Sequence, residues 1–173
     1  MRLAASVVSG WRSGRIGALD ESRTVHRAWL GDCDPNFHVN EGRYLLIAGL
    51  ARITLWVRMG LFRSIFREGL RPAAISTTAY YHREIPPFAR FEIASRLIWW
   101  DERYMYFEHR FERAGREAAR VVVRSVFSGG GRILRPAEVL ARLGHTGDAP
   151  PPTPELEHWA RMREAAKAAA HAT

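Results

Sequence analysis

Residues 41–59, EGRYLLIAGLARITLWVRM, constrain the fold of this chain more than any other stretch. Asn40 offers a side-chain cap, Glu41 an acid for the first turn, and Gly60 a stop. A helix is therefore expected from Glu41 to about Met59, roughly 28 Å long. Its apolar residues, from Tyr44 to Val57, cover most of the circumference, and Arg43, Arg52 and Arg58 are the main interruptions. A helix apolar nearly all round is a buried one, so the rest of the chain must wrap it.

The flanking sequence can supply the wrapping. Glu21 to Leu30 alternates as a strand does, and after a short helical stretch, Leu61 to Glu68, the period changes to two. Residues 73–84, 90–100, 104–113 and 117–127 read as strands, punctuated by Pro86-Pro87, Asp101-Glu102, Ala114-Gly115 and the glycines 129–131. Four consecutive strands suggest an antiparallel meander. The expected fold is α+β, an antiparallel sheet of about five strands around one long central helix, with an added C-terminal helix. The open edges of such a sheet are commonly closed by dimerisation. Residues 1–20 show no clear period and are read as a flexible segment. Residues 21–135 form the domain, and 136–173 an extension with a short helix from Pro136, a proline-rich linker at 145–154 and an Ala-rich terminal helix.

Composition narrows the function classes. At 173 residues and 47% apolar, the chain has enough material for a core, and no apolar run approaches the roughly 20 residues of a membrane span. The patch at Met1–Val8 is too short for a secretory signal. Cys33 is the only cysteine, which excludes a disulfide framework and a cysteine-based metal site and fits a reducing, cytoplasmic setting. The formal charge of +8 is carried by arginine, Lys167 being the only lysine. These arginines are scattered rather than gathered into a stripe with interleaved aromatics. A nucleic-acid partner is therefore not expected, whereas an anionic small molecule would need only a few of them.

The densest chemistry lies in the loop that enters the long helix: Asp32, Asp34, His38 and Asn40, followed by Glu41, Gly42 and Tyr44. A helix start carries unsatisfied N–H groups and partial positive charge, which suit a developing oxyanion. A carboxylate beside it can act on a carbonyl polarised by those amides, the outline of an ester or thioester site. Turn and capping chemistry explains Asp34 before Pro35 equally well from local sequence. Asp32 is read as satisfying loop N–H groups, His38 as a loop pin or a base, Asn40 as the cap, and Tyr44 as a pocket wall or core aromatic. Thr77 and Thr78 are read as substrate contacts or ordinary strand residues. His82 and His109 are lone strand histidines, and no spacing suggests a metal site.

The run Gly31-Asp32-Cys33-Asp34-Pro35, with His38-Val39-Asn40, Tyr44 and Ala51-Arg52 after it, resembles the hotdog-fold acyl-CoA thioesterases of the 4-hydroxybenzoyl-CoA thioesterase type. The continuation H-V-N-x-x-x-Y is similar to the branch that includes thioesterase-superfamily-member-6-like proteins. The element order agrees over residues 22–128, and the tail from Pro136 lies outside the resemblance. The resemblance implies Asp34 as nucleophile or general base. It also implies carbonyl polarisation by amides around Asn40, Glu41 and Gly42; His38, Tyr44, Thr77 and Thr78 are the candidate substrate-binding residues beside them. Acyl-CoA is then the substrate, no cofactor is needed, and the assembly is a dimer or dimer of dimers whose partner strand completes the pocket. Glu41 departs from the pattern, standing where a second Asn would be, and places a carboxylate at the helix entrance. Two readings follow: an acyl-CoA thioesterase, or a non-catalytic acyl-CoA-binding or scaffold protein. A hotdog dehydratase is a lesser option, because its His-bearing motif is not found.

Overall fold

The computed structural model describes residues 2–171, with side chains described except at positions 2, 3, 5 and 163–171. The central helix, α2 (Glu41–Met59), follows α1 (Arg2–Arg12), β1 (Ser22–Arg27) and a short 3-10 turn at Leu30–Asp32. After it come α3 (Leu61–Arg67), β2 (Arg71–Tyr81), β3 (Arg90–Trp100), β4 (Met105–Arg113), β5 (Arg116–Gly129), β6 (Arg132–Leu134), α4 (Pro136–Ala141) and α5 (Pro154–His171). The ends of α2 fall where the sequence places them. The Asn40 side chain accepts the Gly42 N–H at 3.0 Å. Gly60 closes the other end at φ 95°, a left-handed conformation that costs glycine no Cβ clash, and its N–H reaches the Trp56 and Val57 carbonyls.

The strands form one antiparallel sheet in the order β1-β3-β4-β5-β2, and β6 also pairs with β5. The expected meander holds for β3, β4 and β5 and fails for β2, which pairs with β5 instead of β3. The physical reason is the connection. Residues 82–89 carry Pro86-Pro87 and are too long for a tight hairpin. In their course Ile85 O accepts the Val39 N–H at 2.9 Å, tying this segment beneath the polar loop. The true hairpins are short. Asp101 Oδ1 accepts the Arg103 and Tyr104 N–H groups at 2.7 Å between β3 and β4. Ala114 and Gly115 both take positive φ between β4 and β5, the turn that matches strand twist.

Helix α2 lies on the concave face of the sheet. Its first half buries Tyr44, Ile47, Ala48 and Ala51 against Phe91, Ile93, Phe111 and Val121. Its second half buries Leu55, Trp56 and Met59 against Leu97, Phe107 and Phe127. On the opposite face, Leu156 of α5 is buried with Tyr104, Tyr106 and Val122, and Trp159 packs against them. The terminal helix therefore covers the outer face of the sheet.

The N-terminal segment differs from expectation: Arg2–Arg12 is a helix packed on α2. Gly10 is buried, and a Cβ there would meet Val57 at 2.7 Å. Thr54 Oγ1 donates to Ser6 O at 3.1 Å. Ser6 and Gly10 meet α2 and Val7 is half-buried, while Val8 and Trp11 face outward.

Candidate active site

Three anchors fix the loop between β1 and α2. Asp32 is 1% exposed; its Oδ1 accepts from Arg43 Nε at 3.1 Å and Nη2 at 2.7 Å, and its Oδ2 accepts the Trp29 N–H at 3.0 Å. The Asp32 carbonyl accepts the Asn40 N–H at 2.9 Å, closing the loop at its base. Val39, bonded to Ile85, sits in the core. Asp32 is a structural residue, as read from sequence. Its main partner, Arg43, went unnoticed there; one helical turn past the cap is the position from which such an arginine folds back.

Inside these anchors residues 34–38 make a tight excursion. The Asp34 N–H donates to the His38 carbonyl, and the Phe37 N–H donates to the Asp34 carbonyl, both at 3.0 Å. Phe37 takes φ 58°, an uncommon conformation for a large side chain, and its ring is 71% exposed beside Asp34. No sequence signal marked it. The side chain of Asp34 is 19% exposed. Its Oδ1 accepts the Asn36 N–H at 2.9 Å, whereas Oδ2 faces His38 Nδ1 at 3.6 Å, beyond hydrogen-bond length. His38 Nδ1 is also 3.4 Å from the Val39 carbonyl. One carboxylate oxygen thus serves the turn and the other points at a half-exposed imidazole.

The helix start is more selective than the sequence suggests. Of the amides around residues 40–42, Asn40 N–H is committed to Asp32 and Gly42 N–H to the cap. The Arg43 N–H returns to the Asn40 carbonyl at 2.9 Å. Glu41 N–H has no acceptor among the described residues, so one amide is left for an incoming oxygen. The Glu41 side chain is exposed, and its carbonyl accepts from Tyr81 Oη at 3.2 Å, which ties β2 to the helix entrance.

The remaining candidates separate. Tyr44 is 4% exposed, with ring centroids 5.2 Å from Tyr81 and 5.0 Å from Phe111. Burial pushes its hydroxyl up to about 12, and the ring packs in the core. Thr77 and Thr78 alternate across β2: Thr77 pairs with core Val123, and Thr78 pairs with Val122 of the outer face. Thr78 lines a cavity of about 490 Å³ beneath α5, on the far side of the sheet from Asp34, with Tyr80, Arg96, Arg120 and Trp159. Thr77 shares the face of Ala79 and Tyr81 and is exposed. The Cys33 thiol is pushed up by burial and by the carboxylates of Asp32 and Asp34.

A family model described as Thioesterase-like superfamily matches residues 28–159. Protein THEM6 of Danio rerio is 30% identical over 156 residues, 87% of this chain and 74% of that protein. Thioesterase poxG of Penicillium oxalicum is 28% identical over 178 residues, 80% of this chain, and the chain spans 58% of its length. Among solved structures, a 4-hydroxybenzoyl CoA thioesterase mutant complexed with 4-hydroxybenzoyl CoA superposes with TM-score 0.61 at 18% identity, covering 71% of this chain and 97% of that one. The curled antiparallel sheet around one long helix is the fold of these neighbours, the hotdog fold. With the match running from the end of β1 into α5, the chain belongs to the thioesterase-like superfamily.

Proposed function

We propose that the chain hydrolyses an acyl-CoA thioester at the entrance of α2. The observation that carries this reading is one short loop holding both an uncommitted carboxylate oxygen, Asp34 Oδ2, and an open helix-start amide, Glu41 N–H. Membership of a thioesterase-like superfamily supports it. In the base form of the reaction, Asp34 takes a proton from water and the oxygen attacks the thioester carbon. The carbonyl oxygen develops charge toward the Glu41 amide, the C–S bond breaks, and the thiolate leaves as free CoA once protonated. In the nucleophile form, the Asp34 carboxylate attacks the thioester carbon, the C–S bond breaks and CoA thiolate departs to be protonated; water then cleaves the mixed anhydride, giving the free acid and restoring the Asp34 carboxylate. His38 faces Asp34 in both forms and the exposed ring of Phe37 flanks the approach.

The β2 edge and the exposed Leu45 and Leu46 support a homodimer or a dimer of dimers. The lone thiol of Cys33 supports a cytoplasmic setting. Release of free thiol from short, long and aromatic acyl-CoAs tests the activity, with Asp34→Asn as the silent control. A specific observation favours a second reading, a non-catalytic acyl-CoA binder. The carboxylate of Glu41 stands on the residue whose amide would meet the oxyanion, and like charge opposes that role. Tight binding of acyl-CoA with no thiol release would select it.

A further inference from the structure

Helix α1 turns its apolar side outward. Ala4, Val8 and Trp11, spaced four and three apart, are exposed, and Trp11 is 64% accessible. The Trp11 ring meets Phe62 of α3 edge-on at 5.8 Å, and Phe62 contacts Phe66 at 4.4 Å. Phe66 is 72% exposed. The three rings form a contiguous apolar ridge at the C-terminal end of α2, at the opposite end of that helix from Asp34.

Charge around the ridge has one sign. Arg12, Arg63 and Arg67 are exposed on the two helices, and neither helix contains an acid. Glu68, just past α3, is paired with Arg142 at 3.3 Å. Exposed aromatics flanked by arginines on a helix that lies along the surface are the composition of an interfacial element. No single helix among the described residues is long and apolar enough to cross a membrane.

We propose that the face formed by α1 and α3 docks on an anionic lipid surface, with Trp11, Phe62 and Phe66 entering the headgroup region and Arg12, Arg63 and Arg67 meeting the lipid phosphates. The arginines select lipid over an apolar protein groove, because phosphate supplies the negative charge that the protein's own face lacks. This assignment is independent of the chemistry at Asp34.

Flotation of the full chain with phosphatidylcholine vesicles, with and without phosphatidylglycerol, tests it. The expected result is association with the phosphatidylglycerol vesicles, weakened by salt, and at least about tenfold loss of binding in Trp11→Ser/Phe66→Ser. Arg63→Glu/Arg67→Glu should lose the preference for phosphatidylglycerol. Both variants alter exposed side chains, so an unchanged melting temperature and unchanged release of thiol from a soluble acyl-CoA show that the fold is intact. Equal flotation of wild type and Trp11→Ser/Phe66→Ser overturns the proposal. So does failure of the wild type to float, or a self-association in solution that those substitutions abolish, which would make the ridge an interface between copies.

Discussion

The two ends of helix α2 are finished in opposite ways. At the start, polar atoms are paired off one by one: Asp32 with Arg43 and Trp29, Asn40 with Gly42, Asn40 N–H with Asp32 O. What remains is Asp34 Oδ2 facing His38, the Glu41 amide, and the exposed Glu41 carboxylate. At the finish, Gly60 closes the helix by backbone geometry alone, and aromatic rings stand in the open beside arginines. The contrast shows how reactive groups are selected here. Asp32 and Asp34 are the same residue type two positions apart, and only their partners separate a structural brace from a candidate catalyst.

Substitutions can break this contrast. The largest effect is expected at the start: Asp34→Asn should lower thiol release by about 10²–10⁴-fold with no change in melting temperature. Next is the core toward the other end, where Leu55 is fully buried against Trp56 and Phe107; Leu55→Ala should cost about 2–5 kcal/mol in denaturant unfolding. Leu46→Ala, at an exposed site near the start, should stay within about 0.5 kcal/mol unless self-association buries it. Asp32→Asn keeps the shape and removes the charge facing Arg43, and should cost about 2 kcal/mol, at the low end for a buried pair because Arg43 is partly solvated.

Between the two ends, His109 lies fully buried beneath α2, with Nδ1 2.8 Å from Ser95 Oγ. Burial, with Arg52 nearby, lowers its pKa to about 3 from 6.5. The unfolded chain takes up this proton first, so stability contributed by neutral His109 is lost as pH falls below 6.5, by up to about 1.4 kcal/mol per pH unit until the folded histidine titrates. Chemical denaturation at a series of pH values should show the slope in the wild type and a flatter limb in His109→Gln. A modest effect is expected at the cap: Asn40→Ala should cost about 1 kcal/mol and free the Gly42 N–H as a second donor beside Glu41.

Much of this architecture was legible because it is written in local signals. Asn40 and Gly60 bound α2, and residues 90–97 show the period-two pattern of β3 before a bulge between Leu97 and Trp99. Long-range pairing was not legible: β2 alternates whether it joins β3 or β5, and only the Pro86-Pro87 connection hinted at the longer path. Helix α1 was not expected, because Ser6 and Gly10, which meet α2, carry no apolar signal, and apolar Val8 and Trp11 face outward. At the site, the motif pointed to Asp34 and the helix start as candidates. The choice of Glu41 N–H over its neighbours depends on which carbonyl and side chain each amide reaches, and Tyr44 and Thr78 were placed by burial and strand phase.

The division of labour between the two loop acids is tested most directly by one measurement: the turnover number for CoA release by wild type, Asp34→Asn and Asp32→Asn, at a temperature where all three are folded. The account predicts that Asp34→Asn is silent at wild-type melting temperature, and that Asp32→Asn still turns over while melting lower. Full turnover by Asp34→Asn, on an acyl-CoA that the wild type hydrolyses, would contradict it.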